Sequence, residues 1–208
     1  MAQYLLGLDS GLTVTKAVVF RTDGSVVATA RQEIRQIKAV PRQVERDMAD
    51  HWRISAEAIR AALAAASAAE GRPVQPCAVA VAGHGDGVYL VDDKGAPLGL
   101  AATSLDSRAQ AVVAEWDASG VSDRALDITG QRPFPAPPAA ILAQMKRAEP
   151  ARYARIGAVL SCKDWLRYGL TGRIATDFTE ASVAFTDVRT QTYSPAATDL
   201  FGLAEIAH

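Results

Sequence analysis

The chain opens with three short apolar runs that are separated by turn residues. Residues 4–9, 17–20 and 25–30 each have the length of a β-strand, and a Thr-Asp-Gly turn at residues 22–24 lies between the second and the third. Asp-Gly between two apolar runs is a strong signal for a β-hairpin. The pattern therefore predicts that the fold begins with an antiparallel meander.

The period of the apolar positions changes after residue 42. From there to about residue 69, apolar residues recur at spacings typical of one face of an amphipathic helix. These residues are Val44, Met48, Trp52, Ile59, Leu63 and Ala66. Gly71 and Pro73 then end the pattern, because neither residue readily continues a helix. A long helix is predicted over residues 42–69.

Strand and helix patterns alternate through the remainder of the chain. The predicted strands, the first of them apolar enough to be buried on both faces, cover residues 78–82, 88–92 and 156–160. The predicted helices cover residues 107–118, 163–170 and 177–184, with a further helix around residues 141–145. A proline-rich connector at residues 132–138 precedes that further helix. This order predicts a mixed α/β fold with one central sheet.

The composition is that of an ordinary globular protein. The 208 residues are 49% hydrophobic and 22% charged, and the formal net charge is −1. This balance carries no electrostatic footprint for nucleic acid or for an anionic membrane. The first residues lack the basic segment of a signal peptide, and no apolar run is long enough to span a membrane. We therefore expect a soluble cytoplasmic protein that binds neither nucleic acid nor membrane, with Cys77 and Cys162 as buried free thiols.

The first loop joins two predicted strands through the sequence Gly-Leu-Asp-Ser-Gly-Leu-Thr-Val-Thr-Lys at residues 7–16. A turn of this kind can present backbone N–H groups to phosphate oxygens, and Gly11 allows a close approach. Asp9 can hold a hydrated Mg²⁺ ion, and Lys16 can neutralise phosphate charge. The same residues also fit an ordinary tight hairpin with a capping Asp9 and a solvated Lys16.

The second loop has the sequence Gly-His-Gly-Asp-Gly at residues 83–87 and also lies between two predicted strands. Its glycines let the backbone turn sharply, which brings His84 and Asp86 to the edge of the sheet, where pockets occur in open α/β folds. A carboxylate and an imidazole can bind the hydroxyl groups of a neutral polyol. The alternative is a simple turn in which Asp86 caps a backbone amide and His84 is a surface residue.

Together with segments further along, these loops resemble the FGGY family of carbohydrate kinases. The first loop is similar to the first phosphate loop of the actin, hexokinase and heat-shock ATPase superfamily, and its Lys16-Ala17 end is most similar to the FGGY branch. Residues 103–108 resemble the family's Trp-Asn-Asp-x-Arg segment without its Trp. Residues 160–172 and 175–182 are very similar to its Lys-Asp-Tyr-Leu-x-x-x-Leu-Thr-Gly and Thr-Asp-x-x-x-Ala-Ser segments.

The resemblance implies an actin-like, ribonuclease H-like ATPase domain with helices on both faces of its mixed sheet. It implies that Asp9 is associated with Mg²⁺ and that the phosphates of ATP contact the loop at Gly11, Leu12, Thr13 and Lys16. Leu12 departs from the Thr or Gly that the family usually has at this position. That change removes a side-chain hydroxyl contact and leaves the backbone N–H, and Thr13 and Thr15 could compensate.

On the substrate side, the resemblance implies that His84, Asp86 and Asp106 bind the sugar. Asp106 could also serve as the N-cap of the helix that follows it. Within the most family-like segment, Lys163 and Asp164 are interpreted as structural residues that fix a junction between strand and helix.

The resemblance spans the whole chain, but members of the family are more than twice as long. It implies that residues 1–208 are the N-terminal sugar-binding domain, and that the C-terminal nucleotide domain and the catalytic Asp lie beyond His208. We expect ATP- and Mg²⁺-dependent phosphorylation of a pentulose or tetritol by the two-domain kinase and no activity from this chain alone; a homodimer stays open. Two alternatives are a non-catalytic sugar-sensing protein and an actin-like assembly or chaperone ATPase, which would share only the first loop.

Overall fold

The computed structural model describes residues 3–206, which form eight strands and eight α-helices. In chain order the strands are β1 (Tyr4–Ser10), β2 (Val14–Arg21), β3 (Val26–Glu33), β4 (Glu45–Arg46), β5 (Pro76–Gly83), β6 (Tyr89–Val91), β7 (Ala101–Ala102) and β8 (Ala158–Leu160). The helices are α1 (Met48–Glu70), α2 (Gln110–Ala118), α3 (Val121–Thr129), α4 (Pro138–Ala148), α5 (Pro150–Tyr153), α6 (Cys162–Thr171), α7 (Phe178–Ala181) and α8 (Pro195–Leu200), followed by a 3-10 helix at Ala204–Ile206.

The central sheet has four strands in the order β3-β2-β1-β5. The first three strands form the predicted antiparallel meander, and β5 pairs with β1 in parallel. The prediction of a mixed sheet that opens with a meander is therefore confirmed. Since β1 and β5 run in the same direction, their carboxyl ends lie side by side, with Ser10 opposite Gly83. The two glycine-rich loops leave the sheet at these carboxyl ends of β1 and β5, which we call the loop edge of the sheet.

Alternation along β1 decides which side of the sheet carries the core. Tyr4, Leu6 and Leu8 are buried in a cluster with residues of α1 and α6, whereas Leu5 and Asp9 are exposed on the opposite face. The two helices also meet each other on this buried side. The helices that pack closely on the sheet therefore share one face, although helices on both faces were expected.

Helix α1 begins later than its apolar pattern predicts. Residues 45–46 are extended and pair with β7, and Asp47 then caps the helix by accepting a hydrogen bond from Asp50 N at 2.7 Å. The capping carboxylate explains the start at Met48. The other end follows the prediction, because Gly71 adopts the left-handed conformation at φ 64° that ends a helix.

A second core lies between the helices of the later part of the chain. Its buried residues come mainly from α2, α3, α4 and α8, and the rings of Trp116 and Phe201 are in contact with centroids 4.9 Å apart. The proline-rich connector is a loop, as predicted, and it ends where Pro138 begins α4. The helix predicted over residues 177–184 is shorter, since only Phe178–Ala181 is helical behind the Asp177 cap.

Strand β5 is exposed over most of its length, so the prediction of a strand buried on both faces is wrong. It lies at the edge of the four-stranded sheet, and its apolar residues from Cys77 to Ala80 are open to solvent. Cys77 is therefore an exposed thiol, contrary to expectation, whereas Cys162 is buried as predicted. Within residues 3–206 we find no helix that is long and apolar enough to cross a membrane.

Candidate functional site

The first loop is a tight connection from β1 to β2 whose own backbone holds its shape. Gly11 N donates to Val14 O at 2.9 Å, and Ile34 N donates to Thr13 O at 2.8 Å. Thr15 faces inward, where its hydroxyl lies 3.5 Å from that of Ser55, a buried residue of α1. Thr15 therefore cannot replace the hydroxyl that is absent at residue 12. Thr13 is exposed, so its hydroxyl is still accessible from outside the loop.

Asp9 and Lys16 project from the same face of the sheet, because they are directly opposite in the register of β1 and β2. The Asp9 carboxylate is exposed and accepts no hydrogen bond from the described residues. No group of three or more His, Cys, Asp or Glu that could hold a metal ion occurs within residues 3–206. A lone free carboxylate fits Mg²⁺, which keeps several waters and is bound through one or two carboxylates together with phosphates.

The second loop is attached to the end of the first strand. His84 N donates to Ser10 O at 3.1 Å, so the backbones of the two loops meet directly. The His84 ring is half-buried, with Nε2 3.1 Å from the hydroxyl of Tyr89. Burial, with a smaller effect from Arg46, lowers the pKa of His84 to about 4. The imidazole is therefore neutral at pH 7 and can both donate and accept hydrogen bonds.

Asp86 stands out in the second loop because its backbone is left-handed and its carboxylate is free. Its φ angle is 57°, an uncommon conformation for any residue other than glycine. The side chain makes no hydrogen bond with the described residues, so it does not act as a turn cap. Burial raises the pKa of this carboxyl. Strain of this kind is typical of functional positions.

Asp86 lines a cavity of about 680 Å³. Apolar side chains, among them Ile156 and Phe185, form one part of its wall, and Ser161 and Thr176 contribute hydroxyl groups. The cavity volume lies within the range that is common for small-molecule sites. A polyol held by Asp86 would therefore have both apolar and hydrogen-bonding surface around it.

The segment from Ser161 to Glu180 builds the wall beside this cavity. Ser161 and Asp164 form a reciprocal capping box at the start of α6, in which the Ser161 hydroxyl accepts from Asp164 N at 3.2 Å. Asp164 also accepts from the Thr176 hydroxyl at 2.9 Å. Lys163 forms ion pairs with Asp177 at 2.8 Å and with Glu180 at 3.3 Å. These contacts agree with the interpretation of Lys163 and Asp164 as structural residues.

Comparison with known proteins identifies the family of this chain. The model of the FGGY family of carbohydrate kinases, N-terminal domain, matches residues 4–207. The chain belongs to this family. The L-xylulose/3-keto-L-gulonate kinase of Escherichia coli K12 is 33% identical over 211 residues, which cover 100% of this chain and 41% of that protein. The erythritol kinase of Brucella abortus is 32% identical over 199 residues, which cover 96% of this chain and 38% of that protein.

A solved structure of the same family has the same fold. The xylulose kinase from Rhodospirillum rubrum superimposes with a TM-score of 0.87 at 29% sequence identity, over 99% of this chain and 42% of that one. The predicted actin-like α/β fold of a sugar kinase is therefore confirmed. The FGGY chain described here spans well under half the length of these relatives.

Asp106 of this FGGY chain is not free in the way that Asp86 is. Its side chain is buried, and its two oxygens accept from Val44 N at 2.9 Å and from the Arg108 guanidinium at 2.8 and 2.9 Å. Arg108 in turn donates to Glu45 at 2.7 Å. Asp106 does not cap α2, because the N-cap position is Ala109. Its carboxylate fastens the 103–108 segment to the backbone beside β4.

A buried polar network beneath the two loops was not foreseen from the sequence. It consists of Arg46, His51, Ser10 and Tyr89, and it continues to His84 through the Tyr89 hydroxyl. In the sequence, Arg46 and His51 lie inside what reads as one amphipathic helix pattern, which gives no sign that they face the loops. The useful signal is the Glu45-Arg46-Asp47 run, since three charged residues directly before a helix are unusual for a buried segment.

Proposed function

We propose that the protein containing this chain transfers the γ-phosphoryl group of ATP to a hydroxyl of a small sugar or polyol. The observation that carries the proposal is the meeting of the two loops at one edge of the sheet, where His84 N donates to Ser10 O at 3.1 Å. Asp9 is the next-to-last residue of β1, and the His84–Asp86 turn begins where the adjacent parallel strand β5 ends. Phosphoryl transfer needs both reactants held in line, and this edge brings a candidate site for each into contact.

On the substrate side, we assign hydroxyl binding to Asp86 and His84. The Asp86 carboxylate has no partner among the described residues and can accept strong hydrogen bonds from hydroxyl groups. The neutral His84 ring has one donor and one acceptor, and both are engaged, Nδ1 with Gly85 O and Nε2 with the Tyr89 hydroxyl, each at 3.1 Å. Sugar binding by His84 would therefore exchange one of these contacts for a substrate hydroxyl. Because the oxygens of Asp106 already bind Arg108 and Val44 N, we assign Asp106 to support of the pocket instead of direct contact with the sugar.

On the nucleotide side, we assign phosphate binding to the loop at Gly11, Leu12 and Thr13, together with the ammonium group of Lys16. The free Asp9 carboxylate would hold the hydrated Mg²⁺ ion that accompanies ATP. That ion neutralises charge on the phosphates and orients them. The residues of this chain then act by binding and alignment, and the proton acceptor for the attacking hydroxyl is expected beyond residue 208.

The cavity favours a neutral substrate over an acidic or phosphorylated one. Within the described residues its lining includes the carboxylates of Asp86, Asp164, Glu180 and Glu205 and no Lys or Arg. Glu180, Asp164 and Glu205 are paired with Lys163, Arg167 and Lys146, which lie outside the lining. Among the described residues, a substrate anion would therefore meet the unpaired carboxylate of Asp86 and no free cation in the lining. We therefore propose a neutral pentulose or tetritol, in keeping with the relatives named for L-xylulose and erythritol, although the Escherichia coli relative is also named for the acid 3-keto-L-gulonate. A panel that includes L-xylulose, erythritol and the acid 3-keto-L-gulonate tests this order of preference.

Asp9→Asn in the full-length polypeptide tests the proposed reaction. It keeps the size of the side chain and removes the charge, so we expect an unchanged melting temperature and a kcat lower by at least about 100-fold. Asp23→Asn is the matched control, because Asp23 lies in the turn at the far end of β2 and accepts from Ser25 N at 2.9 Å. An Asp9→Asn protein that melted early and kept its turnover would mean that Asp9 is only a turn residue.

A further inference from the structure

Arg46 lies buried directly beneath the first loop. Its side chain is 1% exposed, and Nη2 donates to Gly11 O at 3.1 Å and to Leu12 O at 2.8 Å. Both acceptors belong to the turn between β1 and β2. One guanidinium nitrogen therefore fastens two successive carbonyl groups of the loop from the inside.

The geometry of the peptide unit carries this contact to the other side of the loop. In a trans peptide, the C=O of one residue and the N–H of the next point in opposite directions, and the described residues contain no cis peptide bond. The Gly11 carbonyl shares its peptide unit with the Leu12 N–H, and the Leu12 carbonyl with the Thr13 N–H. Fastening both carbonyls inward therefore turns both N–H groups outward. Neither N–H donates to an acceptor within residues 3–206.

The positive charge of Arg46 has no carboxylate partner within the part of the chain that the structure describes. Its other contacts are neutral groups, namely His51 Nε2 and the Tyr89 hydroxyl, each 3.3 Å from Nη1. Burial, reinforced by Arg46 itself, lowers the pKa of His51 to about 2, so this imidazole carries no charge. Buried charges are normally paired. An uncompensated guanidinium directly behind outward N–H groups attracts an anion to the outer side of the loop.

The same guanidinium also reaches the second loop. The Tyr89 hydroxyl that contacts Arg46 lies 3.1 Å from His84 Nε2. His84 N in turn donates to Ser10 O, which precedes the carbonyls that Arg46 holds. Arg46 therefore contacts the first loop directly and the second loop through one intervening side chain.

We propose that Arg46 is the positioning residue of the phosphate loop, which turns the Leu12 and Thr13 N–H groups toward bound phosphate and supplies a buried positive charge behind them. This inference rests on the proposed function. It also gives a reason why Leu12 is tolerated in the loop, since the contacts that Arg46 arranges are made by the backbone and need no side-chain hydroxyl.

The test compares Mg·ADP with adenosine, which lacks phosphates, on the full-length polypeptide. For Arg46→Met we expect the Kd of Mg·ADP, measured by calorimetry, to rise by about tenfold or more. Adenosine binding, followed by saturation-transfer NMR, should stay unchanged, because the inferred role concerns phosphate alone. Arg46→Lys keeps the charge but not the planar donor group. Its Kd for Mg·ADP should therefore lie between those of the wild type and Arg46→Met. Arg53→Met is the control, since Arg53 is exposed and pairs with Asp50 and Glu57 on the outer side of α1.

The outcomes separate the inference from the function on which it rests. A wild-type protein that binds no Mg·ADP would overturn both. A wild-type protein that binds Mg·ADP, with Arg46→Met binding it equally well, would overturn the inference alone. Equal losses for Mg·ADP and adenosine would also overturn it, because they would indicate a purely structural role.

Hydrogen exchange on the unmodified protein gives a second measurement in case Arg46→Met does not fold. Mg·ADP should slow the exchange of the Leu12 and Thr13 amides, and adenosine should not. Unchanged exchange at both amides in the presence of saturating Mg·ADP would contradict the outward orientation that we infer.

Discussion

Four carboxylates near the loop edge of the sheet differ in whether their oxygens already accept hydrogen bonds from other residues of the chain. Asp106 and Asp164 are buried, and their oxygens accept hydrogen bonds from backbone and side-chain donors. Asp9 and Asp86 accept none from the described residues. An engaged carboxylate stabilises the fold, whereas a free one close to a cavity is available to a ligand. We therefore propose Asp9 and Asp86, and not the two engaged carboxylates, as the ligand-binding residues.

For Asp86 we predict a loss of sugar turnover without a loss of stability. Asn tolerates the left-handed backbone at φ 57° about as well as Asp does. Asp86→Asn should therefore leave the melting temperature unchanged, while kcat/KM for the sugar in the full-length enzyme falls by about 30-fold or more, because a charged acceptor is replaced by a neutral one. Asp86→Gly is the companion variant, since it relieves the backbone and should be equally inactive but at least as stable. Wild-type sugar kinetics in both variants would return Asp86 to a role in the turn.

For His51 we predict a pH-dependent contribution to stability. The ring is buried, and its pKa falls from 6.5 to about 2 in the folded protein, first through burial and then through Arg46. The unfolded chain binds a proton at this residue below pH 6.5 and the folded chain does not, so the free energy of unfolding decreases as the pH falls. Between pH 6.5 and pH 5 this residue should account for about 2 kcal/mol of lost stability.

Urea denaturation at both pH values measures the effect. His51→Asn should lower stability at pH 7 but show a smaller drop toward pH 5 than the wild type. Because His84 and the carboxylates titrate in both proteins, the difference between the two slopes isolates His51. Identical slopes would show that the ring binds a proton equally well in the folded and the unfolded chain, so that folding does not lower its pKa.

At the residue scale, the sequence shows which side chains are polar but not which of them are paired with other residues in the folded protein. Asp9, His84 and Asp86 could be chosen because each lies within two residues of a glycine near the end of an apolar run. Asp106 is a candidate only through the family resemblance, and nothing in its own segment shows that its oxygens are taken up by Arg108 and by a backbone amide sixty-two positions away. Arg46 was missed for the same reason, since its acceptors come from a distant loop. The engagement of a polar group depends on tertiary neighbours, which a local pattern does not contain.

At the element scale, the start of α6 shows how one capping box can organise a segment. Asp164 accepts from Ser161 N at 3.3 Å and from the Ser161 hydroxyl at 2.9 Å, and it also holds Thr176 in the stretch after the helix. The neighbouring Lys163 pairs with Asp177, the N-cap of α7, and with Glu180 inside that helix. The wall of the cavity therefore depends on contacts made within the first turn of one helix.

For this box we predict a clear loss of stability with only a small rise in the substrate KM, because Asp164 lines the cavity but its oxygens are already engaged. Asp164→Ala removes the reciprocal cap and the tie to Thr176, and it should lower the free energy of unfolding by about 1–3 kcal/mol. Ser161→Ala should cost about 1 kcal/mol. A double-mutant cycle in urea should show coupling between the two residues. A large rise in KM with unchanged stability would instead make Asp164 a ligand of the sugar.

Elements are predictable from sequence where the signal is local. The meander, the Gly71 end of α1 and the cap at Asp177 all follow from short patterns and are present. The beginning of α1 and the burial of β5 were predicted wrongly. The first depends on the pairing of β4 with β7, and the second on the position of β5 at the edge of the sheet. An apolar run indicates a strand but not how many of its sides are covered.

At the scale of the whole molecule, the described residues hold two hydrophobic cores, one under the sheet and one among the later helices. The loop edge and the cavity lie where the elements of both cores meet, since β6 contributes Tyr89 to the first core and Leu90 to the second. Two well-packed cores should suffice for residues 1–208 to fold. They do not by themselves close the site, because the loop edge of the sheet, with Asp9 and Thr13, is open.

We therefore predict that a polypeptide limited to residues 1–208 folds but does not transfer phosphate. The relatives are longer, with alignments that cover only 41% and 38% of the two kinases compared, and in-line transfer requires groups on both sides of the reactants. Cooperative thermal unfolding should establish that this polypeptide is folded. Incubation with ATP, Mg²⁺ and a panel of pentuloses and tetritols should then release no ADP above background.

The full-length polypeptide, assayed in parallel, is the positive control for each substrate. Adding the region beyond residue 208 as a separate polypeptide should restore part of the activity if the two halves assemble, which would localise the missing groups to that region. Sugar-dependent turnover by residues 1–208 alone, at the rates of about 1–100 per second that are typical of kinases, would contradict the two-domain proposal. It would mean that one edge of one sheet, with Asp9, His84 and Asp86, is sufficient for the reaction.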